Sequence, residues 1–369
     1  MAGARCHLCT KIFKPDIPHA IKEAPKFSPS AVSNIAIAHY SYGLPFNRIE
    51  HWQRNGGVVL PDATQYDEMA KLAKKVLPIV QCLKKLSANS HLFYYDDTPV
   101  QVLQLKQSHG TAIVSQTGQH WIYLFCVSSL IAGKEVSKLL SQRTSDKTFI
   151  TMTDASNQNE LSDLDETILS RAIIAYCLVH GRRKFYDLLD DFPKECQFVI
   201  DCIAKVYEHE AHCKREKFSP AKRLTYHQQH SADIMEALKT YLTNLWQYEA
   251  IEHNSTLGKA VKYMLKRWSA LTRFLTIEDC PIDNSLCERA IKDLIRYRKN
   301  SLFYRTLAGA HCGDTLMSLI QTAMKNGINA FDYLNALQEH TQAIAKNPED
   351  FLPWNYQETL KIMNQPLAA

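Results

Sequence analysis

Three acidic side chains in different settings could together perform metal-dependent phosphoryl transfer. Asp96, followed by Asp97, lies within an apolar run; Asp154 ends a second apolar run; Glu288 falls near the start of a helical pattern. Carboxylate oxygens are the ligands that Mg²⁺ and Mn²⁺ prefer. Two such ions can hold both the attacking and the leaving oxygen of an in-line displacement at phosphorus. Two strand-borne aspartates and a helix-borne glutamate would suit such a site.

The sequence supports a role in metal binding more strongly for Asp96 than for Asp154. An unpaired carboxylate within the apolar run around Asp96 would be costly to bury, and a bound cation would remove that cost. Neighbouring side chains on a strand point to opposite faces, so we expect only one of Asp96 and Asp97 to bind metal. Asp154 has an alternative interpretation, because aspartate at a strand end often caps the following turn.

Glu288 has two structural alternatives. With Ser285 it matches a capping box, in which the glutamate side chain accepts a hydrogen bond from a free backbone amide at the helix start. It could also pair with Lys292 one helical turn later.

The elements that would position these residues follow from periodicity. Apolar and β-branched runs predict strands, and a helix interrupts them at residues 134–140. The strands are expected at residues 92–105, 112–114, 121–127, 148–153 and 173–179. Strands followed by strand–helix alternation predict an α/β fold with a mixed sheet flanked by helices. Residues 194–275 carry only helical signals and predict a helical insertion, and a long helix from Asp62 is expected to be kinked or interrupted at Pro78.

Composition narrows the class of protein. The 369 residues are 46% hydrophobic and 22% charged, as in an ordinary folded protein. The longest apolar stretch, residues 121–133, is too short to span a bilayer, and no secretion leader follows Met1. Eleven cysteines, an odd number, predict reduced thiols in a cytoplasmic protein. The net charge of +5 permits nucleic acid as a partner.

Several motifs in a fixed order resemble the insertion sequence 66 family of transposases. They are Asp96-Asp-Thr-Pro-Val-Gln-Val-Leu103, Cys177-Leu-Val-His-Gly-Arg-Arg-Lys-Phe185, Pro281-Ile-Asp-Asn-Ser-Leu-Cys-Glu-Arg-Ala290, Arg298-Lys-Asn-Ser-Leu-Phe303, Ser318-Leu-Ile-Gln-Thr-Ala323 and Leu352-Pro-Trp-Asn355. The resemblance extends from about Cys6 to Trp354, which is nearly the whole chain.

The resemblance implies a DDE-type enzyme with a ribonuclease H-like catalytic core. Asp96, Asp154 and Glu288 would be its catalytic and metal-binding triad, with Mg²⁺ or Mn²⁺ as cofactor. It further implies DNA as partner (element ends and target), a homo-oligomer on DNA, accessory proteins encoded by the same element, and a cytoplasmic, nucleoid-associated location in a bacterium. No membrane association is expected.

The sequence departs from the family pattern in three places. The family's N-terminal zinc module has two Cys-x-x-Cys pairs, whereas only Cys6 and Cys9 are present here. A structural zinc site needs four ligands, so zinc is expected only if the missing half is supplied, and the start is expected to be truncated. Asp97 replaces a glutamate, and Ala155-Ser156 replaces a common Gly-Tyr.

Basic residues supply candidate contacts to DNA phosphates. Arginine offers forked donors to phosphate, and such contacts position nucleic acid. The set near the predicted site and in the insertion is Arg182, Arg183, Lys184, Lys292, Arg296, Arg298, Lys299, Lys262 and Lys266. The alternative is a polar strand end at residues 180–184 and an ordinary amphipathic surface helix around Lys262.

The predicted organisation has six parts. They are a remnant of a zinc module (1–25), a helical DNA-binding region (26–87), the first part of the core (88–193), the helical insertion (194–275), the closing helices of the core (276–340) and a C-terminal tail (341–369). The predicted function is metal-dependent cleavage at element ends and strand transfer into target DNA. Two alternatives stay open: a decayed, inactive copy that still binds DNA, and a ribonuclease H-like nuclease without strand transfer.

Overall fold

The computed structural model describes residues 4–13, 26–247 and 251–365. Its central sheet has five strands: β3 (Leu92–Pro99), β4 (His109–Thr117), β5 (His120–Ser128), β6 (Phe149–Thr153) and β7 (Ala172–Tyr176). Their order in space is β5-β4-β3-β6-β7. Strands β3, β4 and β5 are antiparallel to one another, whereas β6 runs parallel to both β3 and β7. This is the mixed sheet of a ribonuclease H-like core, as the sequence predicts.

Helices precede and follow the strands of this sheet and pack against it. Helices α1 (Pro29–Ala36), α2 (Phe46–Asn55) and α3 (Asp62–Ala88) precede it, with a π-helical turn at Ile37–Ser41. Helix α4 (Ala132–Leu140) follows β5, and a short α5 (Glu166–Leu169) precedes β7. After β7 come α6 (Leu178–Tyr186), α7 (Pro193–Arg215), α8 (Pro220–His230), α9 (Ala232–Gln247), α10 (Thr256–Lys266) and α11 (Trp268–Leu271). The chain continues through α12 (Ser285–Ser301), α13 (Leu307–Lys325), α14 (Ala330–Glu339), α15 (Thr341–Lys346) and α16 (Tyr356–Met363).

The apolar residues form two large cores. The main one joins the sheet to α3, α4, α12 and α13, with Phe93, Phe125 and Phe149 among its fully buried rings. The second lies among the helices from α6 onwards and contains Leu178 and Phe185. The helices between β7 and α12 therefore pack around a core of their own.

Helix α13 covers the free edge of the sheet with a ladder of polar side chains. Four of them, one per helical turn, accept the outward amides of β5 over 2.9–3.1 Å. The pairs, acceptor first, are Asp314 with Val127, Ser318 with Phe125, Thr322 with Tyr123 and Asn326 with Trp121. An uncovered edge strand would be a template for association with another chain, and this ladder satisfies those amides instead.

The structure corrects several predicted boundaries. The first strand ends at Pro99 rather than residue 105, and the last ends at Tyr176, with α6 beginning at Leu178. Residues 180–184 are therefore helical rather than a strand end. Helix α3 continues through Pro78 to Ala88, so the predicted interruption is wrong. All eleven cysteines are free thiols.

The N-terminal ribbon is short. Strand β1 (Ala4–Arg5) pairs with β2 (Ile12–Phe13), and the Cys6 amide donates to the Lys11 carbonyl over 2.9 Å. Hydrogen bonds from the backbone of Cys9 and Leu8 lower the pKa of the Cys6 thiol. The ribbon thus carries the two cysteines of the predicted zinc module on one tight turn. Residues 14–25 of the predicted module lie outside the described residues.

Candidate active site

The parallel pairing of β3 and β6 brings Asp96 and Asp154 together at the carboxyl ends of these two strands. Strands β3 and β6 are parallel neighbours in which Tyr94 is paired with Met152. Continuing that register by two residues places Asp96, on β3, level with Asp154, the first residue after β6. The carboxyl ends of parallel strands in α/β sheets are where sites gather. The pairing of two strands therefore sets two carboxylates, 58 positions apart in sequence, side by side.

The surroundings of Asp96 strongly perturb its pKa. Burial, and next the charge of Asp154, raise the pKa of Asp96 from 3.8 to about 7. Its Oδ1 accepts the Asp97 amide over 2.9 Å, and hydrogen bonding from that amide and from the Asn159 side chain opposes the shift. The site thus disfavours two unneutralised carboxylates, and a bound cation would relieve the repulsion.

Asp97 points to the other side of the strand. Its Oδ2 accepts the Ala132 amide at the start of α4 over 3.1 Å and lies 3.4 Å from Nδ1 of His109. Both of these side chains are about 7% exposed. The carboxylate of Asp97 is thus occupied by its contacts with α4 and His109. Of the two strand aspartates, Asp96 is therefore the better candidate for a metal ligand.

Asp154 also caps the turn that follows it. Its Oδ1 accepts the Ser156 amide over 3.2 Å and the side-chain amide of Asn159. Ser156 in turn starts a 3₁₀ turn, Asn157–Asn159, by accepting the Gln158 amide. The capping alternative from the sequence is therefore present, and the same turn carries the Asn159 amide to both aspartates.

Helix α4 packs directly against this turn, and Gly133 permits the approach. A Cβ at Gly133 would lie 2.1 Å from the carbonyl oxygen of Glu160 and 3.0 Å from that of Gln158. Backbone atoms cannot move aside as the end of a side chain can. The close approach of α4 therefore fixes the turn that holds Asn159.

We expect Gly133→Ala to destabilise the protein by about 2–3 kcal/mol, since overpacking against backbone must displace the turn. Strand cleavage should fall by more than the loss of folded protein accounts for, because Asn159 moves with the turn. Chemical denaturation and a cleavage assay on the folded fraction measure the two effects. Gly56→Ala is the matched control: its Cβ would lie 3.3 Å from the nearest atom, so the expected loss is under about 1 kcal/mol. Equal stability of the two variants would contradict the packing argument.

Helix α12 carries Glu288, and the start of this helix is held at the level of Asp96. The N-cap residue Asn284 is fully buried; its side-chain amide donates to the Tyr95 carbonyl over 3.2 Å. One turn later, the Cys287 thiol donates to the carbonyl of Ala112, the residue paired with Asp96. These two bonds pin the start of α12 across β3 and β4, at the level of Asp96.

The carboxylate of Glu288 contacts neither of the partners suggested by the sequence alternatives. The Ser285 amide donates to Asp283 Oδ1 over 2.9 Å instead of to Glu288, and the side chain nearest to the Glu288 carboxylate is His180 rather than Lys292. Glu288 Oε1 lies 3.8 Å from His180 Nδ1, and both atoms are buried without a hydrogen bond in the described part of the chain. The two atoms therefore face each other as an unbonded polar pair.

The donor set of Asp96, Asp154 and Glu288 fits a hard divalent cation, since it consists of carboxylate oxygens. The three do not form a closed cluster as they stand. Among residues 4–13, 26–247 and 251–365, the group of three ligand atoms all within 4.8 Å of one another is Cys177, His180 and Glu288. In this conformation the Glu288 carboxylate faces His180, 3.8 Å away, rather than the two aspartates.

Seven of the nine predicted basic residues are exposed, and Arg182 and Arg298 are half-buried. Lys292, Lys299, Lys266 and Arg183 are exposed, whereas the other exposed cations also contact groups of the protein. Arg182 lies over Tyr186, Lys184 over Tyr263 and Lys262 over Trp246. Arg296 donates to the Ser41 carbonyl (2.7 Å) and Asp293 (2.6 Å), and Arg298 donates to Thr98 Oγ1 (3.1 Å) and the Pro99 carbonyl (2.6 Å). Arg296 and Arg298 therefore also tie α12 to its neighbours.

Sequence reasoning missed Tyr263 and Arg267, which the insertion brings to the site. The Arg267 guanidinium donates to the Ala155 carbonyl over 3.4 Å and lies 4.4 Å from the Tyr263 ring centre. Lys184 covers the same ring at 4.5 Å. Burial raises the pKa of Tyr263 to about 12. The four-residue spacing of Tyr263 and Arg267 at the end of α10 could have indicated that the arginine lies over the ring. No local pattern indicated the contact of Arg267 with Ala155.

We expect Arg267→Ala to reduce strand cleavage by about 10- to 100-fold, because the residue after Asp154 loses its tether and the site loses a cation. Cleavage rates at saturating DNA measure the effect. Arg267→Lys keeps the charge but not the fork, and should recover only part of the rate. Lys239→Ala, which removes an exposed cation from the same insertion, is the control and should leave the rate within about 2-fold. Equal rates for Arg267→Ala and wild type would remove Arg267 from the site.

Comparison with known proteins gives the family. A family model described as "Transposase IS66 family" matches residues 26–312, more than half of the chain. The chain therefore belongs to the IS66 family of transposases, and its five-stranded mixed sheet agrees with the ribonuclease H-like core expected for it.

Related proteins from Sinorhizobium fredii are described only as uncharacterized. Two of them, y4jD and y4qI, are each 32% identical over 188 residues, which is 50% of this chain and 36% and 34% of theirs. A third, y4hP, is 21% identical over 380 residues, 95% of this chain and 66% of its own length. The matched region thus spans about a third of the first two relatives. Among the helices in the described ranges, none is long and apolar enough to cross a membrane.

Proposed function

We propose that this chain is a DNA transposase that cleaves DNA at the ends of its element and joins the freed 3′-hydroxyl to target DNA. The observation that carries the proposal is the level placement of Asp96 and Asp154 at the ends of the parallel strands β3 and β6, with α12 pinned across β3 and its other neighbour, β4. The raised pKa of Asp96 supports it, since an unneutralised pair of acids is unfavourable there.

Asp96, Asp154 and Glu288 would hold Mg²⁺ or Mn²⁺, which when bound supplies charge neutralisation and activates the attacking oxygen. The protein's own contribution is positioning. Asn159 orients both aspartates, Asn284 and Cys287 hold the helix of Glu288, and Arg267 fixes the backbone after Asp154. Preorganised groups of this kind supply much of the rate enhancement in phosphoryl transfer.

DNA is the proposed partner, both as element ends and as target. The exposed cations of α6, α10 and α12 would neutralise phosphates, so binding should weaken with rising salt. A homo-oligomer on paired ends, accessory proteins of the same element and a cytoplasmic, nucleoid-associated location belong to the same proposal. Zinc at Cys6 and Cys9 would need two further ligands.

The test is cleavage of a duplex carrying the element's own ends, with Mg²⁺, with Mn²⁺ and with chelator, beside a duplex of scrambled end sequence. Metal-dependent nicks at the ends followed by joined products would support a transposase. Nicks without joined products would indicate a nuclease without strand transfer. Specific binding of the ends without nicks in either metal would indicate an inactive copy.

A further inference from the structure

We propose that Cys177, His180 and Glu288 form an inhibitory site for Zn²⁺, which draws Glu288 away from the two aspartates. The inhibitory part rests on the proposed function, whereas binding of the ion does not. The site is distinct in chemistry from the carboxylate set, because it combines a thiol, an imidazole and a single carboxylate.

The three ligand atoms are already close to the spacing that zinc requires. Zn²⁺ binds sulfur, nitrogen and oxygen at about 2.0–2.3 Å, so tetrahedral ligands lie roughly 3.3–3.8 Å apart. Here the imidazole nitrogen and the carboxylate oxygen are 3.8 Å apart, and all three ligand atoms lie within 4.8 Å of one another. A side-chain adjustment of about 1 Å would close the set.

Two of the three atoms also lack any other partner. His180 Nδ1 and Glu288 Oε1 are buried and make no hydrogen bond in the described structure. Buried polar atoms are nearly always satisfied, so a pair of unsatisfied atoms facing each other favours an ion between them.

The backbone holds the site rigidly. Cys177 and His180 lie at the N-cap and in the first turn of α6. The Cys177 amide donates to the Thr153 carbonyl over 2.8 Å, directly before Asp154, and the Asn284 amide donates to Cys177 Sγ over 3.3 Å. Preorganised ligands on rigid elements lower the cost of binding. The fourth position would be taken by water, as in an open zinc site.

Zinc discriminates between this site and the carboxylate set through ligand softness. A thiolate and an imidazole suit Zn²⁺, whereas Mg²⁺ prefers an all-oxygen set. On binding, the Cys177 thiol releases its proton to solvent and no electron is transferred. Glu288 cannot serve both sites at once, so zinc occupancy would leave Asp96 and Asp154 without their third ligand.

The first experiment is Co²⁺ binding to the full chain, followed by the sulfur-to-cobalt charge-transfer band. The background is Cys6→Ser/Cys9→Ser, which removes the thiols of the N-terminal ribbon. We expect one equivalent of Co²⁺ with a thiolate band, loss of that band in added Cys177→Ser, and its retention in added Cys202→Ser, a matched buried cysteine elsewhere. A band that survives Cys177→Ser, or none in the background protein, would overturn the site. His180→Asn provides a second test: if Cys177→Ser is misfolded by circular dichroism, retention of the band in folded His180→Asn overturns the proposal.

The second experiment is Mg²⁺-dependent nicking with and without micromolar Zn²⁺ in the same background. We expect at least about a 10-fold slower rate with Zn²⁺, restored by chelator and renewed Mg²⁺. Nicking that zinc leaves unchanged would overturn the inhibitory role. A protein that binds Co²⁺ through Cys177 but nicks no DNA would retain the zinc site and refute the proposed function, so the two failures are distinguishable.

Discussion

Glu288→Gln is expected to reduce Mg²⁺-dependent strand cleavage by at least about 10³-fold, while binding of end DNA stays within about 3-fold of wild type. Glutamine keeps the size of the side chain but lacks the negative charge that a hard cation requires. The contacts that pin α12 come from Asn284 and Cys287, so the helix should stay in place. Single-turnover cleavage and a binding titration on the same duplex measure the two quantities.

Glu358→Gln is the control for this variant, because Glu358 is exposed on α16 and pairs only with Lys361 in the described structure. It should match wild type in both assays. Parallel loss of cleavage and binding in Glu288→Gln, together with a lower melting temperature, would mean that Glu288 holds the structure rather than a metal.

Asp96→Asn is expected to abolish cleavage to a similar degree and, unusually for an active-site change, to stabilise the metal-free protein. Burial and the charge of Asp154 raise the pKa of Asp96 to about 7, from 3.8 for an unperturbed group. Between about pH 4 and pH 7 the folded state therefore binds more protons than the unfolded state. The free energy of unfolding must then fall as pH rises through this window and level off above it.

Asparagine cannot ionise, so the free energy of unfolding of Asp96→Asn should not fall in this way as the pH rises. Above pH 7, without metal, Asp96→Asn should exceed wild type in stability by roughly 1–3 kcal/mol, with little difference at pH 4. Added Mg²⁺ should stabilise wild type and leave the variant unchanged, because only the folded wild type binds the ion. Chemical denaturation at several pH values with chelator, then with Mg²⁺, measures both effects.

Asp146→Asn, an exposed substitution away from the site, controls for the loss of one negative charge. It should follow the wild-type pH dependence. A metal-free wild type whose stability is constant from pH 5 to pH 8 would show that burial and the charge of Asp154 do not raise the pKa of Asp96, and would weaken the case for metal at these strand ends.

The arrangement around Glu288 links these expectations. In this conformation the Glu288 carboxylate faces His180. Asp96 and Asp154, whose negative charges repel each other, lie at the ends of β3 and β6. Metal binding at the aspartates and release of Glu288 from His180 would therefore be coupled.

The sequence by itself predicted the strands and the run of helices between β7 and α12, and the family resemblance singled out the three acids, whose catalytic role stays a prediction. Alternation of apolar residues is a local property, and it marked β3 and β6 well enough to place Asp96 and Asp154 near strand ends. It also predicted that Asp96 and Asp97 face opposite sides, which the contacts of Asp97 with α4 bear out. Boundaries were less secure: hydrophobicity continues from β7 into α6, so the pattern could not show where the strand stopped.

Only the tertiary structure decided which groups surround those acids. Glu288 meets His180 across 108 positions, because the Leu178 amide at the start of α6 is bonded to the Ile282 carbonyl just before α12. Arg267 meets Ala155 across 112 positions, because the insertion returns to the end of β6. The capping alternative for Glu288 was reasonable locally and lost to a neighbour that no local pattern reveals. Strand pairing set the level of Asp96 and Asp154, and packing of α4 through Gly133 set Asn159 between them. Such contacts depend on the relative placement of whole elements, and that placement is fixed by core packing rather than by the residues nearest in sequence.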